Sequence, residues 1–108
     1  MAGELTAFMY VLEDGAGEEY DARHAQVWPE IVELMRGAGV EWYRLWRRDA
    51  LVVGLMSSRE PFHTTHDFLA THPVQVAWSG TMAHLFRETT DADGAPLVLR
   101  EVFDLAHP

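Results

Sequence analysis

Apolar positions along the chain alternate between strand-like and helix-like spacing. Leu5 to Leu12 is a mainly apolar run between Glu4 and the turn residues Glu13, Asp14 and Gly15, and it reads as a buried strand. Gly15 and Gly17 mark the turn that follows. From Glu18 to Met35 the pattern turns helical, with acidic residues in the first turn, where they complement the helix dipole. Pro29 interrupts that stretch: a proline removes a helical hydrogen bond and pushes the preceding residue into an extended conformation. The sequence therefore predicts a break at Trp28 and a second helix opening at Pro29, which buries Ile31, Leu34 and Met35 and ends at Gly37 and Gly39.

Val40 to Arg47 is aromatic-rich and partly alternating, as a strand is. Asp49 and Ala50 form a tight connection to Leu51 to Met56, an apolar run that reads as a central strand, with Gly54 marking a bulge or a close backbone approach. Pro61 opens a further helix, to His72, that turns Phe62, Phe68 and Leu69 inward. Pro73 separates it from an amphipathic stretch, Val74 to Phe86. Thr89 to Pro96 is a polar loop, and Val98 to Leu105 is the last expected strand.

The order strand, helix, strand, strand, helix, strand predicts an α+β fold: a ferredoxin-like βαββαβ sandwich, with a four-stranded antiparallel sheet covered on one face by helices. The 108 residues make one domain, residues 1–108. The uncovered face of such a sheet needs a partner. Trp42 and Trp46, or Tyr43, would line a pocket or meet a second subunit there, and a C2 homodimer is the economical closure.

Composition narrows the function. A net charge of −9 argues against nucleic-acid binding and against anionic membrane surfaces. There is no cysteine, which excludes disulfides, thiolate catalysis and iron–sulfur clusters. There is no lysine, which excludes Schiff-base chemistry and lysine-dependent phosphate loops. No apolar run approaches the roughly 20 residues that cross a bilayer. MAGELTAF has no basic flank before an apolar segment, so a cytoplasmic protein is expected.

The candidate chemistry lies in Glu18 to Met35. Tyr20 and His24 are four residues apart and share one helix face, so a phenol and an imidazole meet the same small molecule. Trp28 offers an apolar wall beside them if the helix reaches that far. An acid/base pair beside an aromatic wall suits a sugar or another small polar ring. Glu18, Glu19 and Asp21 read as a solvated face, and not as the spaced carboxylate pair that glycoside hydrolysis requires. Arg44, Arg47 and Arg48 read as solvated strand-edge residues. His63, His66 and His72 match no zinc spacing, and no metal site is expected.

These residues resemble the L-rhamnose mutarotases. The run EEYDARH…VWPE, which is Glu18, Glu19, Tyr20, Arg23, His24, Trp28, Pro29 and Glu30 here, is similar to that family's EEY…RH…WPE. GAGVEWY (Gly37 to Tyr43), the Trp78 to Met82 segment and REVFDL (Arg100 to Leu105) extend the resemblance over nearly the whole chain. It implies a dimeric ferredoxin-like α+β barrel that needs no cofactor and interconverts the α and β anomers of L-rhamnose. It also implies that Tyr20 and His24 are the active-site pair and that Trp78 lines the sugar site. Where that family tends to carry two adjacent tryptophans, this chain has Trp78 between Ala77 and Ser79. Trp28, Trp78 and Tyr43 are the candidate substrate-contacting residues.

Mutarotation needs one group to take the anomeric proton and another to protonate the ring oxygen. Imidazole, titrating at about 6.5, does either near neutrality, while a phenol near 10 serves as donor and orienter. Two other readings compete: a related α+β-barrel enzyme with another small-molecule substrate, such as a polyketide cyclase, and a non-catalytic dimeric binding module. One fold hosts many activities.

Overall fold

The computed structural model describes residues 3–108; Met1 and Ala2, which open the N-terminal reading above, lie outside it. Four strands, β1 (Glu4–Leu12), β2 (Val40–Arg48), β3 (Leu51–Ser58) and β4 (Phe86–Glu88), form one sheet in the order β2-β3-β1-β4. The pairings are all antiparallel. Between them run α1 (Gly17–His24), α2 (Pro29–Gly37), α3 (Phe62–Thr71) and α4 (Pro73–Gly80), with a 3₁₀ turn at Ala83–Leu85. This is the expected ferredoxin-like α+β architecture.

Register decides which side chains meet the helices. Phe8 pairs with Gly54 and Tyr10 with Val52, while Tyr43 pairs with Met56 and Leu45 with Gly54. Neighbouring residues in register share a face, so Phe8, Tyr10, Leu12, Val52, Met56, Tyr43 and Leu45 all lie on the helix side. There they join two packed clusters. One holds Leu12, Tyr20, Ile31, Val52, Trp78, Met82 and Leu85; the other holds Phe8, Val40, Met56 and Leu69. Gly54 is bare because a Cβ there would run into the Phe8 ring and the Leu45 side chain. It is a close approach, and the register passes through it unbroken; the bulge lies between Val40 and Trp42 instead.

The break at Trp28 is present. Trp28 is extended, with φ −60° and ψ 134°, and Pro29 occupies the first turn of α2. Ile31 is buried, and Leu34 and Met35 pack against the second cluster. Asp49 turns the β2–β3 connection with φ 49°, a left-handed conformation that aspartate tolerates better than most residues.

Three expectations need correction. The terminal run Val98 to Leu105 is not a strand. Only its start touches the sheet, where Leu97 and Leu99 bond to Met9 and Ala7 at 2.9 and 2.8 Å. Val98 opposes Phe8, so Val102 would already face Glu4, where β1 begins, and Phe103 to Leu105 would run past its end. Second, the amphipathic stretch from Val74 stops at Gly80, and Phe86 opens β4, which pairs with the end of β1. Third, Phe68 points outward and is 51% exposed. The inward stripe of α3 is Phe62, Thr65 and Leu69, and residue 68 lies about 100° away from residue 69 around the helix.

Candidate active site

A cavity of about 1050 Å³ opens between the sheet and the helices. Its wall includes Tyr10, Tyr20, His24, Tyr43 and Trp78. These are all three tyrosines of the chain.

α1 supplies the candidate pair, Tyr20 and His24. The Tyr20 and His24 rings lie 4.2 Å apart at 35°, as the four-residue spacing predicts. His24 Nδ1 lies 2.9 Å from the Tyr20 carbonyl oxygen. A carbonyl only accepts, so Nδ1 carries the hydrogen, and the neutral ring keeps its lone pair on Nε2. One backbone contact thus sets both the ring orientation and the tautomer. Tyr20 is buried, and Phe86 meets its ring edge-on at 6.0 Å. Burial raises the Tyr20 pKa, with smaller contributions from Tyr10 and Asp21, so the phenol is held as a donor.

α4 brings Trp78 to the same place. Its ring stands edge-on to His24 at 6.1 Å and 85°. Trp28 packs against Trp78 at 5.2 Å and 70°. The extended conformation at Trp28 takes it off the Tyr20–His24 helix face, and it supports Trp78 without belonging to the cavity wall. His72, at the start of α4, accepts the Val74 amide on Nδ1 at 3.2 Å and caps that helix. His66 lies against the Phe62 ring at 5.6 Å. Two of the three rings weighed as metal ligands therefore have packing or capping partners, and the third, His63, lies 3.4 Å from Thr64 Oγ1.

Tyr43, from β2, lies 5.6 Å from Phe8 and faces the cavity. Trp42 and Trp46 lie on the opposite side of the sheet and are 41% and 48% exposed. The three aromatic residues weighed together in the sequence are thus divided between the two faces.

Sequence reasoning missed Tyr10, Gln75 and Phe86. Tyr10 carries a readable signal: it follows Phe8 by two residues in β1, so a phenol occupies a core-facing position. Gln75 donates to Ser79 Oγ at 3.0 Å, while its Oε1 is buried without a partner among the described residues. Phe86 was hidden by the assignment of its segment to a helix.

Fold and cavity place the chain among ferredoxin-like enzymes of the α+β-barrel type. A family model described as L-rhamnose mutarotase matches residues 6–105. The chain belongs to the L-rhamnose mutarotase family, a family of isomerases. It is 36% identical over 105 residues to an L-rhamnose mutarotase of Sinorhizobium fredii, covering 95% of this chain and 99% of that one. The crystal structure of an L-rhamnose mutarotase from Formosa agariphila superposes with a TM-score of 0.74 at 25% identity, over 95% of this chain and 99% of the other. Tetracenomycin F2 cyclase from Streptomyces glaucescens, a type-II polyketide cyclase, superposes at 0.65 with 14% identity, over 98% of this chain and 100% of that one. The cyclase likeness is one of fold alone.

Proposed function

We propose that this chain interconverts the α and β anomers of L-rhamnose or a related 6-deoxyhexose, with His24 moving the proton and Tyr20 holding the sugar oxygens. The observation that carries the assignment is the Nδ1 contact, which leaves Nε2 of a cavity-lining imidazole as the available base beside a protonated phenol. His24 takes the proton of the anomeric hydroxyl. The bond from the anomeric carbon to the ring oxygen breaks, and its electron pair goes to that oxygen. Tyr20 donates a hydrogen bond where the charge builds, and His24 returns the proton to the ring oxygen. The anomeric oxygen and the ring oxygen share one carbon, so one imidazole serves both. The aldehyde then rotates and the steps run in reverse. Trp78 offers a face for stacking on the sugar and Tyr43 a hydroxyl donor.

Within this proposal residues 1–108 act as one domain, in the cytoplasm and as a homodimer. Leu5, Leu51, Trp42 and Trp46 share the sheet face away from the helices and are all well exposed, and Val102, Phe103 and Leu105 are more exposed still. A second copy laid on that face would remove this apolar surface from water. Among the described residues no helix is long and apolar enough to cross a membrane.

Saturation-transfer NMR of L-rhamnose anomers tests the function. Purified protein speeds the exchange, and His24→Ala returns it to near the uncatalysed rate, a loss of roughly 10²–10⁴-fold for one acid/base group. Unchanged exchange in that variant, with the fold intact, would remove the assignment.

A further inference from the structure

The Tyr10 phenol plays no part in the ring opening described above, yet it stands in the same cavity. β1 places it on the helix side between Phe8 and Leu12. Two rings hold it: Phe8 at 5.5 Å and 56°, and Phe86 edge-on at 5.5 Å and 71°. Phe86 also contacts Tyr20 at 6.0 Å, so Tyr10 lies one ring away from the reactive pair. Tyr43 lies against the same Phe8 ring, at 5.6 Å, and lines the same cavity.

Two phenol hydroxyls thus share one cavity. Each brings one O–H donor and lone pairs on its oxygen. In a partly dry cavity an apolar ligand would leave these groups unmet, which is costly, whereas a polyol would meet them. Burial raises both pKa values, so the two hydroxyls stay protonated across the physiological range.

We propose that Tyr10, in the cavity wall with Tyr43, is a specificity-determining residue that binds a ring hydroxyl of the monosaccharide remote from its anomeric carbon. This rests on the mutarotase reading and deepens it: the cavity selects a polyhydroxylated ring, with the reactive end at His24 and a hydroxyl-reading end at Tyr10. Tyr10→Phe removes one oxygen and keeps the ring between Phe8 and Phe86, so the variant retains its packing.

The test measures anomer exchange by wild type and Tyr10→Phe on L-rhamnose and on its singly deoxygenated analogues. With L-rhamnose the variant raises KM roughly two- to tenfold, the worth of one neutral hydrogen bond, and leaves kcat within about twofold. For one analogue the two proteins become equal, because the hydroxyl that Tyr10 binds is already gone. Equal KM values on every sugar would overturn the proposal, as would a penalty of the same size on all analogues, the mark of a purely structural role. If wild type exchanges no sugar at all, the mutarotase reading itself fails and this proposal falls with it. An active wild type matched by the variant overturns the Tyr10 role alone.

Discussion

Arg47 grips Asp21 through two parallel N–H···O bonds, Nε to Oδ1 at 2.8 Å and a terminal nitrogen to Oδ2 at 2.6 Å. A third bond, at 2.9 Å, runs from the same guanidinium to the Asp49 carbonyl. The pair ties α1 to the end of β2, one residue from Tyr20. Gly17 is bare where the guanidinium passes, since a Cβ there would strike it. The hydrogen bond from Arg47 is the main cause holding the Asp21 carboxyl below its ordinary value of 3.8. A depressed carboxyl stabilises the fold above its unfolded pKa and loses that contribution as pH falls through the folded one. Arg47→Ala should therefore melt lower than wild type at about pH 7, and the gap should narrow at about pH 3. Thermal melts at the two pH values check this, and an equal gap at both would show that the pair contributes nothing.

Tyr20→Phe separates the two members of the proposed reactive pair. If the phenol bonds an oxygen that gains charge during ring opening, kcat falls roughly 10- to 100-fold, as for a hydrogen bond to a charged group. KM changes far less, because that charge is absent from the bound sugar. A change confined to KM would reduce Tyr20 to a ground-state contact.

The tyrosines give a test by titration. All three have pKa values raised above 10.0, with burial the largest cause in each. A raised phenol pKa means that the folded chain holds the proton more tightly. That contribution is present below pH 10 and is lost as pH rises towards the folded values. Native protein at pH 10.0, the ordinary tyrosine value, should show almost no tyrosinate absorbance, while the denatured chain is half ionised. Substantial native ionisation at that pH would mean that the phenols are wet.

Gly54→Ala asks whether the sheet tolerates a methyl group under Phe8. The added carbon would overlap the Phe8 ring and lie 3.0 Å from the Leu45 side chain. Overpacking of this kind costs roughly 1–3 kcal/mol, read from denaturant midpoints. A neutral outcome would mean that the Phe8 ring moves aside, and with it the ring that flanks Tyr10 and Tyr43.

Trp46→Glu addresses assembly. The proposed dimer places this 48% exposed ring against a second copy. A carboxylate there should give a monomer by sedimentation, with helix content unchanged. A wild-type monomer would leave the open sheet face without the partner assigned to it.

Much of this was readable in the chain because local rules and tertiary structure agreed. Pro29 forced the break at Trp28, the i, i+4 spacing brought Tyr20 and His24 together, and Gly54 marked a crowded position. What was missed depends on register and pairing. REVFDL reads as a strand, but the bonding to β1 stops at Leu99 and Phe103 to Leu105 would run past the end of β1. Arg47 read as solvated because Asp21, its partner, lies 26 positions away in the chain. Tyr10 and Tyr43 reach one cavity only once β1 and β2 are placed on either side of β3.

The helix that carries Tyr20 and His24 is only eight residues long. Isolated helices shorter than about 12–15 residues are marginal in water. The imidazole therefore acquires its tautomer and its neighbour only after the helix has docked on the sheet, and a peptide copy of that segment should be inert. Catalysis and cooperative unfolding should then disappear over the same temperature interval, which would make anomer exchange itself a probe of how much of the protein is folded.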